Sequence, residues 1–116
     1  MAFELHWLEE AKTKFLEIKT SALNAQASRA KANKSKSFRH EGLYKQVVKC
    51  LALLASNPRH PGLQTHELIS IDHPFGTGQP VFEAYVQNKT PGSYRVFWCY
   101  GPNRNEITII TIAPHP

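Results

Sequence analysis

Between Met1 and Glu41 the chain has neither glycine nor proline. With both breakers missing, nothing in the first third interrupts a helical pattern. Cysteine is scarce too: Cys50 and Cys99 stand far apart, with no CxxC pair. That spacing argues against a disulfide scaffold and against paired-thiolate zinc, and both thiols are expected to be small, reduced core residues. No apolar run approaches the ~20 residues of a membrane span. The opening MAFELHWLEEAK is charged and amphipathic, unlike a secretory leader. A soluble cytoplasmic protein without a membrane partner is therefore expected. Acidic residues are absent from Ser21 to His40, a stretch that carries Arg29, Lys31, Lys34, Lys36 and Arg39.

The 116 residues suffice for one domain with one modest core. Apolar residues make up 41% and charged residues 20%, with a formal net charge of +5, a balance that favours acidic partners such as nucleic acid. The basic stretch, joined by Arg59, is the candidate phosphate-binding surface; its plain alternative is a solvated helix tip. Arg59 and His60, between Pro58 and Pro61, equally suit a role in shaping the chain locally, and Thr65 and His66 suit local hydrogen bonding.

Leu8, Ala11, Phe15, Ile18, Ala22, Ala25 and Ala32 recur at helical spacing, which predicts a helix from near Phe3 into the low 30s. Tyr44, Val47, Leu51 and Leu54, flanked by Val48 and Ala55, predict a second helix that stops at Asn57-Pro58. Beyond it the period changes to two. ELISI, VFEAYVQ, YRVFWCY and ITIITI read as strands joined by turn-rich segments. The class is α+β: a helical hairpin at about 3–56, a connector at 57–66, and an antiparallel sheet of three or four strands at 67–113 with helices on one face.

Strand alternation puts Glu83 with Tyr85, Arg95 with Phe97 and Cys99, and Thr111 with Ala113 and His115. The helices need the more apolar faces, so Glu83, Tyr85, Arg95 and His115 are expected on or near the open face. An arginine can neutralise a phosphate, a histidine can move a proton, and a carboxylate can act as base or hold the arginine. Those are the services that RNA cleavage by its own 2′-hydroxyl requires. The structural alternatives are a paired arginine, an exposed histidine and a tyrosine engaged in packing. His60, His66 and His73 fit no standard zinc spacing, so no metal is expected.

NPRHPGLQTHEL, a strand with FEAYV, then SYRVFW and a last strand running into IAPHP together resemble the RelE/ParE superfamily of toxins from bacterial toxin–antitoxin systems. The resemblance covers the whole chain and is most specific over 57–116. It implies a helical hairpin on a curved antiparallel sheet. For the RelE branch it implies a ribosome-dependent mRNA endonuclease that needs no cofactor, with a cognate antitoxin, the ribosome and mRNA as partners. By that resemblance Arg95 matches the arginine that follows tyrosine and contacts the scissile phosphate region. His115 matches a strand-end Arg or His and is a candidate general acid. Glu83 and Tyr85 stand where some members carry lysines and others Glu or neutral residues. The chain departs from the pattern in lacking the paired lysines and the tyrosine after the last strand, and in its longer interhelical linker. The ParE branch implies gyrase inhibition instead. An inactive relative that binds only an antitoxin-like partner or RNA is the third alternative.

Overall fold

The computed structural model describes residues 2–32, 38–68, 71–87 and 93–114, with the backbone alone for 29–32 and 38–39. The order is β1 (Glu4–Trp7), α1 (Glu9–Ala32), α2 (Phe38–Ser56), a 3-10 turn (Pro61–Leu63), β2 (His66–Leu68), β3 (Val81–Tyr85), β4 (Tyr94–Tyr100) and β5 (Glu106–Pro114). Strands lie in the order β1-β5-β4-β3-β2. The last four form an antiparallel meander, and β1 pairs in parallel with β5.

Two expectations change here. The sheet has five strands and is mixed, and helix one starts at Glu9 instead of near Phe3. ELHW alternates polar and apolar, and the register sets Leu5 beside Ile107 and Trp7 beside Ile109. Those pairings bury more apolar surface than four further helical residues would. The Phe3 N–H donates to Ala55 O and the Glu4 N–H to Asn105 O, which ties this strand to the end of α2 and to the last turn.

The α1 stripe is legible in the core, where Ala11, Ile18 and Ala22 are buried. On α2, Val47, Cys50, Leu51 and Leu54 are buried, the Cys50 thiol as expected, while Val48, expected beside the stripe, is 42% exposed. These helices cover the sheet face that carries Ala84, Val96, Trp98, Ile107, Ile109 and Ile112. Each fully buried large side chain there contributes roughly 1.5–3 kcal/mol. A bulge opposite Phe97 and Trp98 pairs Phe97 with Thr111 but Trp98 with Ile109. The extra residue, Ile110, joins Val81, Phe97 and Cys99 in a second cluster, against which Leu8, Leu68, Ile71 and Ala113 pack. The sheet therefore has apolar material on both faces, and the face away from the helices is only partly open.

Short side-chain contacts shape the connections. His60 caps the 3-10 turn, its Nδ1 accepting the Gly62 N–H at 3.0 Å. The β4–β5 turn needs Gly101 at φ 111° and Asn105 at φ 63°, and the Thr108 hydroxyl donates to Gly101 O at 2.9 Å. His73 Nδ1 accepts the Phe75 N–H, so its Nε2–H is the donor to Tyr100 O at 3.2 Å, which moors the β2–β3 loop to the end of β4. No helix among the described residues is long and apolar enough to cross a membrane.

Candidate functional site

β3 and β4 run antiparallel with Tyr85 opposite Arg95 and Glu83 opposite Phe97. Cross-strand partners share a face, so Glu83, Tyr85 and Arg95 project together from the side away from the helices. The alternation expected from the sequence holds. The exposure does not follow from it, because Arg95 is only 2% exposed and Glu83 only 3%.

The contacts explain how a cation is accommodated there. Arg95 Nε lies 3.9 Å from Glu83 Oε1, and Nη1 donates to Tyr94 O at 3.0 Å and to Gln87 O at 3.5 Å. The guanidinium carbon sits 3.8 Å from the centroid of the Tyr85 ring. One face of the cation is thus on an aromatic ring, one edge is on main-chain carbonyls, and the carboxylate is close by. Nε itself makes no hydrogen bond, so the contact with Glu83 is an ion contact at its outer range and not a bidentate fork. Tyr85 is held in turn by the edge of His66, with ring centroids 5.5 Å apart. Gln87 locks the end of β3 to β4, its Oε1 accepting the Tyr94 N–H at 3.0 Å. Nothing in the sequence marked Gln87, which contributes its backbone carbonyl to Arg95 and its side-chain oxygen to the Tyr94 N–H.

His115 lies outside the described residues, as do Lys34, Lys36 and the side chains of Arg29, Lys31 and Arg39. Arg59 is exposed on the connector and is not among the contacts of Arg95. Its own N–H donates to Asn57 Oδ1 at 3.1 Å. Thr65, expected to hydrogen-bond locally, instead has a buried hydroxyl oxygen with no partner.

The remaining titratable groups are separate from this cluster. Burial pushes the Cys50 thiol up to about 12 and the Cys99 thiol up to about 11, so neither is a ready nucleophile. Among the described residues, one group of three side chains has the spacing of cation ligands: Glu4, His6 and Glu106, with donor atoms within 4.8 Å of one another. His6 Nε2 lies 3.1 Å from Glu106 Oε2, and that contact by itself accounts for the grouping. Partial burial opposes ionisation of Glu106. The His6 imidazole and the Asn103 N–H outweigh it and hold the carboxyl below its ordinary value. His60, His66 and His73 form no such group among the described residues.

No family model and no curated protein sequence matches the chain. Solved structures do. A chain of the archaeal RelE–RelB complex from Pyrococcus horikoshii aligns with TM-score 0.57 at 13% identity, over 98% of this chain and 96% of that one. A chain of the intact Escherichia coli RelBE toxin–antitoxin complex aligns with TM-score 0.54 at 13% identity, over 99% of both. A copper-bound mutant toxin from Helicobacter pylori aligns with TM-score 0.51 at 13% identity, over 97% and 94%. At such low identity the shared property is architecture, and these end-to-end alignments give this chain a RelE-like fold.

Proposed function

We propose that the protein is the toxin of a toxin–antitoxin pair, and that it acts in the cytoplasm by cutting mRNA on the ribosome. The observation that carries this reading is the position of Arg95. In a RelE-like fold matched end to end, it follows Tyr94 at the start of a central strand and projects from the face without helices. A permanent cation there suits a phosphate whose charge rises as the 2′-hydroxyl attacks.

The contacts also divide the labour. Glu83 lies against Arg95 and is almost fully buried, which supports the role of orienting the guanidinium over that of base. Tyr85 supplies the platform beneath the cation. His115 is the proposed acid, by resemblance alone. A cognate antitoxin, acidic in part given the +5 charge, is the proposed regulator.

One observation favours a second reading. Arg95 is only 2% exposed and its Nη1 is already engaged by two carbonyls, so the buried guanidinium offers little open surface to an arriving phosphate. An inactive relative that binds an antitoxin-like partner or RNA is consistent with that arrangement.

The test is induced expression in a bacterial host of the wild type, Arg95→Ala, Arg95→Lys and His115→Ala, with growth, soluble protein level and mRNA 5′ ends all followed. New ends inside translated regions for the wild type, lost in the folded variants, support the nuclease. Arrest without cuts points to another target, and gyrase supercoiling is then assayed. No arrest in any strain supports the inactive relative.

A further inference from the structure

Helix α1 carries apolar side chains on two faces. Ala11, Ile18 and Ala22 turn into the core, whereas Leu16 and Leu23 are 50% and 54% exposed. These two leucines stand two turns apart, on the side of the helix away from the core. Thr13, Thr20 and Ala27, all exposed, fall on the same line. The line therefore runs Thr13, Leu16, Thr20, Leu23, Ala27, at alternating steps of three and four. That is the spacing of the seam between two coiled helices. No charged residue interrupts it over about 21 Å of helix, at roughly 1.5 Å per residue.

The two edges of the seam differ in sign. Lys12 and Lys19 border it on one side; Glu10, Glu17 and Asn24 border it on the other, and all five are exposed. Glu17 Oε2 lies 3.7 Å from Lys14 Nζ, a solvated pair that contributes little and is free to exchange. Along the seam the surface is hollow at Thr13, Leu16, Glu17 and Thr20. Those four positions are the corners of the hole that receives one side chain from a facing helix.

We infer that the outer face of α1 is the contact for a second copy of this chain, with the two α1 helices side by side and parallel about a two-fold axis. A parallel two-fold sets Lys12 of each copy beside Glu17 of the other, and puts Leu16 of each into the hollow of the other. The antiparallel alternative sets the lysine edges against each other and the glutamate edges against each other. A helix of uniform charge would match one edge and oppose the other. A copy of the same helix supplies both signs in the right places. The two bodies do not collide, because each lies on the far side of its own α1. Threonine and alanine at three of the five seam positions make the contact small and reversible. Glu9, one turn before Thr13 on the same line, meets its own copy and weakens the pairing further. This inference does not rest on the nuclease reading, since it uses none of the Arg95 contacts.

The test is analytical ultracentrifugation of the purified full chain from about 10 μM to about 1 mM. The expected result is a monomer–dimer equilibrium whose dimer fraction rises through that range. Leu16→Glu and Leu23→Lys should each shift it roughly tenfold or more toward monomer, with melting curves matching the parent because both positions are exposed. Lys12→Glu should weaken the dimer roughly two- to tenfold, and adding Glu17→Lys should restore it. Glu9→Gln should strengthen it. Orientation is read by oxidation: Thr13→Cys and, separately, Ala27→Cys should each give a disulfide-linked dimer, while the buried Cys50 and Cys99 stay out of reach. The measurement needs neither RNA nor ribosome, so its failure and the failure of the nuclease reading are distinguishable. A chain that stays monomeric to about 1 mM overturns the proposal and leaves the face to a helix of another protein. A dimer indifferent to both leucine variants overturns it as well. So does a cross-link that forms only between a Thr13→Cys chain and an Ala27→Cys chain, which would make the pair antiparallel.

Discussion

Replacing Glu83 with glutamine tests whether Arg95 is held in a dry ion contact. The substitution keeps size and shape but removes the one carboxylate paired with Arg95 among the described residues. Breaking a buried pair costs roughly 3–5 kcal/mol, because the remaining charge stays out of water. Arg95 retains two carbonyl acceptors and the Tyr85 ring, which places the cost at the low end, about 3 kcal/mol. For a chain of this length that lowers the melting midpoint by about 12 °C. The assay is urea and thermal unfolding followed by circular dichroism, on Glu83→Gln, Arg95→Met, and the double variant Glu83→Leu/Arg95→Met. The double variant should recover most of the loss, since an apolar pair of similar volume is tolerated where half an ion pair is not. A change below about 0.5 kcal/mol for Glu83→Gln would refute the reasoning, because that is the value of a solvated surface pair. The same experiment tells a lost catalytic cation from a lost fold when an Arg95 variant is inactive.

Other expectations follow from single contacts. Both thiols should resist aromatic disulfide reagents at pH 8 in the native protein and react at once in denaturant, since burial leaves the Cys99 thiolate at about one part in a thousand at that pH. Gly101→Ala should cost roughly 1–3 kcal/mol in urea unfolding, because φ 111° strains any side-chain-bearing residue. Glu106 is held below its ordinary value, so its contribution to stability is fully present above the unfolded carboxylate value near 4.5. It is lost as pH falls through the lower folded value. His6→Gln should flatten that acid limb of the stability profile, and an unchanged limb would show that His6 is not the cause.

The helical stripe, the YRVFWCY strand and the shared parity of Glu83, Tyr85 and Arg95 were legible because each is a local period that the register preserves. β1 was not. Four alternating residues run directly into a helix, and what makes them a strand is a partner distant in sequence. Val48, expected to flank the α2 stripe, is exposed because an apolar stripe has a width but no label for its edge. The burial of Arg95 was beyond the pattern for a similar reason. Alternation says which side chains share a face, whereas Leu8, Leu68 and Ile71, which crowd that face, arrive from β1's end and the β2–β3 region. The unpartnered Thr65 hydroxyl leaves no trace in sequence either, since a missing partner is visible only once every neighbour is placed.

The parallel pairing of β1 with β5 bears on how the chain is made. A ribosome delivers β1 first, and its neighbour about a hundred residues later. Until then Leu5 and Trp7 have no strand to lie beside, and the hairpin of α1 and α2 covers an incomplete sheet. β5 is also the strand that joins β1 to the meander, so its arrival closes the fold in one step. The nascent protein should therefore remain protease-sensitive along almost its whole length during synthesis, and a stall before β5 should yield a chain that degrades instead of one that waits partly folded.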